Sequence, residues 1–275
     1  MRILITGHKG QLGRALHAYW PDAVGADLPE VDITQPEALA ALVDEHRPEL
    51  IVHCAAMTDV DGAARDPAAA YRANGLGTQA VALAAARGGA ALAYISTNEV
   101  FDGTKGAPYL EFDTPNPINP YGASKRAGEW FAQSLSSKFY IIRTSWLTGR
   151  AGRNFVHRIQ QLADERGSLR VVTDEVACPT FVTDMAEALV RLVTTGAYGI
   201  YHLTNAGYCS RYDFARRILD LSGRSHVPIE PITLADYPRP STPPPFSPLA
   251  NFAAAALGIT LQPWEAALET FLKSS

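Results

Sequence analysis

The sequence predicts an α/β fold, a doubly wound parallel sheet with a smaller C-terminal lobe, on three observations. Short apolar runs alternate with longer helical stretches along most of the chain. Those runs are apolar throughout, as strands covered on both faces must be. Right-handed crossovers between successive parallel strands then wind helices onto both faces of one sheet.

The elements follow in order. Ile3-Leu4-Ile5 is a strand, followed by a helix near 11–20. Asp22 to Asp27 is a short second strand. A helix over 35–46 leads to the strand Leu50-Ile51-Val52-His53, and a long alanine-rich helix near 67–87 leads to Ala91-Leu92-Ala93-Tyr94-Ile95. A helix over 121–136 precedes Phe139-Tyr140-Ile141-Ile142. Beyond Arg143 the pattern loosens into a helix near 154–165, a strand Leu169–Val172, a helix 183–194, a strand Gly199–Leu203 and a helix 210–222. The stretch from Pro228 to Pro248 holds eight of the nineteen prolines. It can be neither a helix nor a central strand and reads as an extended wrap or a lid. A last helical segment holds Trp264 to Leu272.

Composition narrows the function classes. With 275 residues, 47% hydrophobic and 19% charged, the chain can bury a sizeable core. A net charge of −4 lacks the basic excess of a nucleic-acid binder. No apolar run approaches the ~18 residues a membrane span needs, and the N-terminal stretch reaches Gly7 too soon for a signal-peptide core. Cys54, Cys178 and Cys209 lack metal-ligand spacing, so no metal site is expected. They read as reduced thiols of a cytoplasmic protein.

Gly7-His8-Lys9-Gly10-Gln11-Leu12-Gly13 joins the first strand to the first helix. Glycines there permit a tight turn and a close backbone approach to a pyrophosphate at the helix start. The spacing is G-x-x-G-x-x-G, which is not that of a P-loop. Asp27, at the end of the second strand, can bind an adenosine ribose. It disfavours a 2′-phosphate, for which Lys9 or Arg14 could compensate. Asp32 and Ile33 are candidates to flank the adenine.

Tyr121 and Lys125 stand at i and i+4 on one helix face. A tyrosine of ordinary pKa, about 10, exchanges protons poorly near neutrality, and an ammonium beside it would favour the phenolate. Ser96-Thr97 follows a strand ending at Ile95, where ligands of open α/β sheets bind. A hydroxyl there can hydrogen-bond a substrate carbonyl.

Together these residues resemble the extended short-chain dehydrogenase/reductase family, and within it the dTDP-4-dehydrorhamnose reductase branch. Further segments carry the resemblance over nearly the whole chain. They are Gly10-Gln11-Leu12-Gly13, Ala55-Ala56-Met57-Thr58-Asp59-Val60-Asp61, Asn74, Ser96-Thr97-Asn98-Glu99-Val100-Phe101-Asp102-Gly103, Arg143-Thr144-Ser145-Trp146, Asn154-Phe155, Cys178-Pro179-Thr180 and Ser247-Pro248-Leu249. The resemblance implies a Rossmann domain over 1–146 and a mainly substrate-binding lobe over 147–275, with segments about 170–205 returning to the sheet. It implies NADH or NADPH reducing the C4 ketone of a nucleotide-linked 4-keto-6-deoxy sugar. Tyr121 would donate the proton, Lys125 would tune it and hold the cofactor ribose, and Thr97 would assist at the carbonyl. Gly7, Gly10, Gln11, Leu12, Gly13, Ala55, Ala56, Met57, Thr58 and Ile95 would line the dinucleotide, and Trp146 and Asn98 would meet the substrate. A homodimer is compatible with this reading.

Three departures bear on the substrate. Asn98 stands where the family usually has aspartate, and Glu99 where it has tyrosine. The late motif reads Thr242-Pro243-Pro244-Pro245-Phe246-Ser247-Pro248-Leu249, without the usual arginine pair, though Arg239 lies upstream. An anionic nucleotide sugar needs cationic partners, for which Arg150, Arg153 and Arg158 are candidates. A dinucleotide-binding regulatory protein on the same fold, and a nucleotide-sugar epimerase or dehydratase, stay open as alternatives.

Overall fold

The computed structural model describes residues 1–152 and 154–273. Its first half runs β1 (Ile3–Thr6), α1 (Gln11–His17), β2 (Val24–Ala26), α2 (Pro36–His46), β3 (Leu50–His53), α3 (Val60–Arg65), α4 (Pro67–Ala70), α5 (Gly77–Gly88), β4 (Ala91–Thr97), α6 (Pro120–Leu135) and β5 (Phe139–Thr144). The second half adds β6 (Leu147–Thr148), α7 (Phe155–Arg166), β7 (Leu169–Val172), β8 (Val176–Ala177), β9 (Thr180–Phe181), α8 (Val182–Val193), β10 (Gly199–His202), β11 (Cys209–Ser210), α9 (Arg211–Leu221), β12 (Ile229–Ile232), α10 (Phe252–Ala256) and α11 (Trp264–Lys273).

Six strands form the central sheet in the order β10-β5-β4-β3-β1-β2, and every pairing is parallel. The chain leaves β1 for β2 on one side and returns to β3 on the other, so the topological switch lies between β1 and β3. Ligands of such sheets bind outside the strand tips at this point. Both faces are covered. Leu12, Leu16, Met185, Leu189 and Leu192 pack on one face, and Leu39, Val43, Val81 and Ala85 on the other. Each aliphatic side chain of Leu or Val size buried in this way contributes about 1.5–3 kcal/mol. A third core, around Phe214, Ile218, Trp264 and Phe271, belongs to the C-terminal segments.

The sequence reading of the elements needs four corrections. The first helix stops at His17, and the second strand shrinks to Val24–Ala26. The expected helix near 67–87 is interrupted by a π-helical stretch, Tyr71–Leu76. That wider turn aims the Asn74 side chain at the β3 tip, a use to which π-bulges are often put. Within about 170–205, β10 joins the central sheet and α8 packs on its face, but β7 pairs with β12 in a separate two-stranded ladder. The proline-rich stretch supplies β12 and then runs as an extended strap over the strand tips. It is tied by Tyr109 N–H to the Pro248 carbonyl (2.8 Å) and by Val176 N–H to the Pro245 carbonyl (2.8 Å).

Candidate active site

Gly7 leaves β1 at φ +69. A Cβ there would stand 2.5 Å from the Ala55 nitrogen at the β3 tip, so only glycine lets the two strand ends meet. A Cβ on Gly13 would stand 2.5 Å from the Gly7 carbonyl oxygen. Gly10 starts α1 with no side-chain cap, and Leu12 packs into the core beneath. Gln11 keeps a buried Oε1 with no hydrogen-bond partner. Bare backbone N–H groups at the start of α1, at the switch point, fit the diphosphate of a dinucleotide.

Asp27 follows β2 and reaches the glycine turn. Its carboxylate accepts the Lys9 N–H at 3.0 Å and the Leu28 N–H at 2.9 Å. The Lys9 ammonium is held by Glu30 at 2.6 Å and by the Leu28 carbonyl at 3.0 Å. Arg14 Nε donates to the Lys9 carbonyl at 2.7 Å. Both cations that could offset a 2′-phosphate thus have protein acceptors already. Asp32 accepts the Thr34 N–H and hydroxyl, each at 2.8 Å, which turns the chain before α2. Ile33 is buried beside Gly77, where a Cβ would lie 2.8 Å from its Cδ1.

Ala55, Ala56 and Met57 are half-buried beyond β3 and Thr58 is exposed. Asn74 clasps this segment. It accepts the Met57 N–H at 2.8 Å, donates to the Met57 carbonyl at 3.0 Å and donates to the Ser124 hydroxyl at 2.9 Å. The asparagine therefore ties the β3 tip to the helix that carries Tyr121 and Lys125.

That helix, α6, is built to start where it does. Asn119 caps it, accepting the Gly122 N–H at 2.8 Å, and Pro120 occupies its first turn. Lys125 is buried, with its ammonium donating to the Ile95 carbonyl at 2.7 Å and lying 4.3 Å from the centre of the Tyr94 ring. Burial pulls the Lys125 ammonium down to about 7, against the opposing charge of Glu129. Tyr121 is half-buried beside Thr97 and Glu99. Burial and then the Glu99 charge push its phenol well above the ordinary value, while the neighbouring Thr97 hydroxyl acts the other way. The expected acidifying effect of the ammonium is therefore overruled. Lys125 is turned to a backbone carbonyl, and desolvation dominates at the phenol. The result is a tyrosine that keeps its proton at neutrality.

Thr97 donates to the Asn98 amide oxygen at 3.3 Å and accepts the Glu99 N–H at 3.2 Å. Asn98 is buried and donates to the Ser247 hydroxyl at 2.7 Å. Its amide is thus engaged at both ends by protein, where the sequence reading has it meeting the substrate. Ser96 donates to Glu129 Oε1 at 2.7 Å. The same carboxylate takes Arg143 Nε at 2.8 Å and Nη2 at 2.9 Å, both side chains being almost fully buried.

Outward from the strand tips lies a cavity of 1090 Å³. Trp146, Phe155, Arg158, Glu175, Arg211, Tyr237 and Arg239 are among its lining residues. Trp146 sits there at φ +44, a strained conformation for so large a residue, with the Arg211 guanidinium 3.6 Å from its ring centre. Arg211 is also paired with Glu175 at 3.0 Å, and Arg239 with Asp61 at 2.9 Å. Of the arginines proposed from sequence, Arg158 lines the cavity, Arg150 is exposed in the preceding loop, and Arg153 lies outside the described residues. Cys178 is buried and exchanges weak hydrogen bonds with Leu249 (3.5 and 3.3 Å), which is packing rather than chemistry. Among the described residues, no group of three or more His, Cys, Asp or Glu is placed to hold a metal ion, and no helix is long and apolar enough to cross a membrane.

Sequence reasoning left Asn119, Arg211, Glu175 and Tyr237 out of the site and named Glu99 only as a departure. The Asn-Pro pair before Tyr121 is a helix-start signal that could have found Asn119. The others come from segments far apart in the chain and carry no local signal.

A family model described as RmlD substrate binding domain matches residues 1–275. The dTDP-4-dehydrorhamnose reductase of Aggregatibacter actinomycetemcomitans is 38% identical over 98% of this chain and 97% of its own. The Mycobacterium tuberculosis protein of the same name is 37% identical over 98% and 92%. The crystal structure of dTDP-4-dehydrorhamnose reductase from Bacillus anthracis in complex with NADP superposes with a TM-score of 0.96 at 39% identity, covering 100% of this chain and 99% of that one. A Thermus thermophilus UDP-glucose 4-epimerase, at 21% identity and a TM-score of 0.84, shares the fold. By motif, topology and full-length likeness, the chain belongs to the RmlD substrate binding domain family.

Proposed function

We propose that this protein reduces the C4 keto group of a nucleotide-linked 4-keto-6-deoxy sugar at the expense of NADH or NADPH, with dTDP-4-dehydro-L-rhamnose to dTDP-L-rhamnose as the first candidate reaction. One observation carries the reading. Thr97 ends β4, Lys125 reaches the Ile95 carbonyl of the same strand, and Tyr121 stands one turn before Lys125 on α6, an arrangement that supports a proton donor, a hydroxyl and an ammonium at one strand tip. In this reading residues 1–146, together with β10, hold the cofactor, and the remainder of 147–275 forms the substrate lobe.

The roles follow from the chemistry of each group. Gly7, Gly10, Gln11, Leu12 and Gly13 receive the diphosphate. Asp27 takes the adenosine ribose, with Asp32 and Ile33 nearby. Ala55, Ala56, Met57, Thr58 and Ile95 border the nicotinamide half, and Lys125 holds its ribose. When bound, the reduced nicotinamide supplies the hydride. Thr97 turns its hydroxyl from the Asn98 amide oxygen to the ketone oxygen and Tyr121 gives it a proton, and a phenol that stays protonated at neutrality suits that task. Trp146 offers a face for the substrate, and Asn98 holds the Thr97 hydroxyl until the ketone takes its place. Arg158, Arg211 and Arg239 supply positive charge for the nucleotide diphosphate. The same reading takes the protein as a cytoplasmic enzyme able to pair as a homodimer.

The test is cofactor oxidation against a panel of nucleotide 4-keto-6-deoxy sugars. Oxidation of NADH or NADPH in step with formation of the 4-hydroxy sugar is expected. Absence of oxidation with every sugar, especially with NAD retained through purification, would point instead to an epimerase or a binding protein.

A further inference from the structure

The cavity wall holds five arginines and, among the described residues, a single carboxylate, Glu175. A carboxylate repels an anionic substrate, so its place in this wall points to a use within the protein. That use is visible at Trp146. This residue takes φ +44, a conformation that persists only where the surroundings over-determine it. Its carbonyl accepts the Thr148 hydroxyl at 3.2 Å and the Thr180 N–H at 3.4 Å. These bonds fix the peptide but not the indole, which is only half-buried. The indole is met instead by Arg211, whose guanidinium lies 3.6 Å from its ring centre and 4.9 Å from that of Phe155.

Arg211 is itself fixed from several sides. It opens α9, where the capping residue Ser210 accepts the Asp213 N–H at 3.0 Å. Its N–H donates to the Glu175 carbonyl at 3.0 Å and its Nε to the Glu175 carboxylate at 3.0 Å. One residue thus holds both the backbone and the side chain of the arginine, and that carboxylate keeps only 10% of its surface in water. Glu175 takes the guanidinium through an edge N–H, so the flat face remains for the indole. Among the described residues neither Nη of Arg211 has a hydrogen-bond acceptor, which leaves both for the substrate diphosphate.

We propose that Arg211 is the positioning residue for Trp146, clamped in place by Glu175, and that it sets nucleotide-sugar affinity through the indole. The clamp presents the aromatic face before the substrate arrives, so binding does not have to order it. A charge alone would not do this. Lysine carries the same charge but lacks the flat face that stacks on a ring.

The affinity role rests on the ketoreductase reading, whereas the clamp is tested without turnover. Protein labelled with 5-fluorotryptophan carries four fluorines, and Trp146→Phe identifies the Trp146 line. In Arg211→Lys and Arg211→Met that line should broaden or split as the ring samples several orientations, while the lines of Trp20 and Trp130 hold. Glu175→Gln, which weakens the clamp without touching the ring, should affect the same line to a smaller extent. A Trp146 line as sharp and unshifted as in the wild type in both Arg211 variants overturns the proposal. In steady state, Arg211→Lys should raise the KM for the nucleotide sugar roughly tenfold with kcat little changed. Trp146→Leu should do the same, and the double variant should be no worse than either alone, because one residue acts through the other. A lysine variant with wild-type KM, or effects that add in full, makes Arg211 a counter-charge for the diphosphate and overturns the proposal. Wild-type protein inactive on every 4-keto sugar overturns the ketoreductase reading and the affinity role with it, and the fluorine lines still decide the clamp.

Discussion

The strand-tip site and the outer cavity wall are built on opposite plans. At the tips, the glycine turn and the start of the Tyr121 helix are fixed by residues close in sequence. The glycine turn spans Gly7 to Gly13, and Asn119 caps the helix that carries Tyr121 and Lys125. The outer wall is stitched from segments farther apart, Arg239 to Asp61 and Arg211 to Glu175, and the strap ties it to the tips through Thr242 with Asn119 and Ser247 with Asn98. The tips are also drier. Glu129 and Arg143 beneath them are almost fully buried, whereas Arg239 and Asp61 each keep over a quarter of their side-chain surface in water. In the proposed reading, the contrast assigns the reaction type to a dry inner frame and substrate identity to a more exposed wall.

The largest expected effect strikes the inner frame. Glu129→Gln leaves the Arg143 guanidinium buried without its counter-charge and should cost about 3–5 kcal/mol of stability, measured by denaturant unfolding. A loss below about 1 kcal/mol would mean that the frame is less dry than its geometry shows. Asp27→Ala comes next. Removing a charged acceptor from the ribose should weaken NADH binding about tenfold, and NADPH less, by titration of the two cofactors. Equal effects on both would remove Asp27 from the ribose. The smallest change is expected at the wall. Arg239→Gln should raise the KM for the nucleotide sugar roughly threefold and leave kcat nearly unaltered, since partly exposed charge contacts contribute under about 1 kcal/mol. A large fall in kcat there would erase the distinction between frame and wall.

The same contrast explains what the sequence makes legible. The glycine turn, the Tyr121–Lys125 pair and the Ser96-Thr97 strand end are local patterns, so their places at the start of α1, on α6 and at the end of β4 can be read from the chain. The doubly wound sheet is legible for the same reason, since each strand–helix unit is signalled by its own apolar periodicity. The π-helical turn at Asn74 is not, because alanine-rich helix periodicity runs straight through it and only the contacts to Met57 and Ser124 select the wider turn. Nor is the state of Tyr121, because spacing places a lysine one turn away but cannot show that its ammonium faces Ile95. Pairings such as Arg239 with Asp61 depend on how the proline-rich strap crosses the strand tips, and residue types in the strap do not encode that path.

The most direct test of the central claim is Tyr121→Phe, assayed for cofactor binding and for turnover on the same preparation. If the phenol supplies the proton, binding of NADH or NADPH persists while kcat on the 4-keto sugar falls by about 10² or more. A phenylalanine variant that reduces the sugar at the wild-type rate would contradict the account.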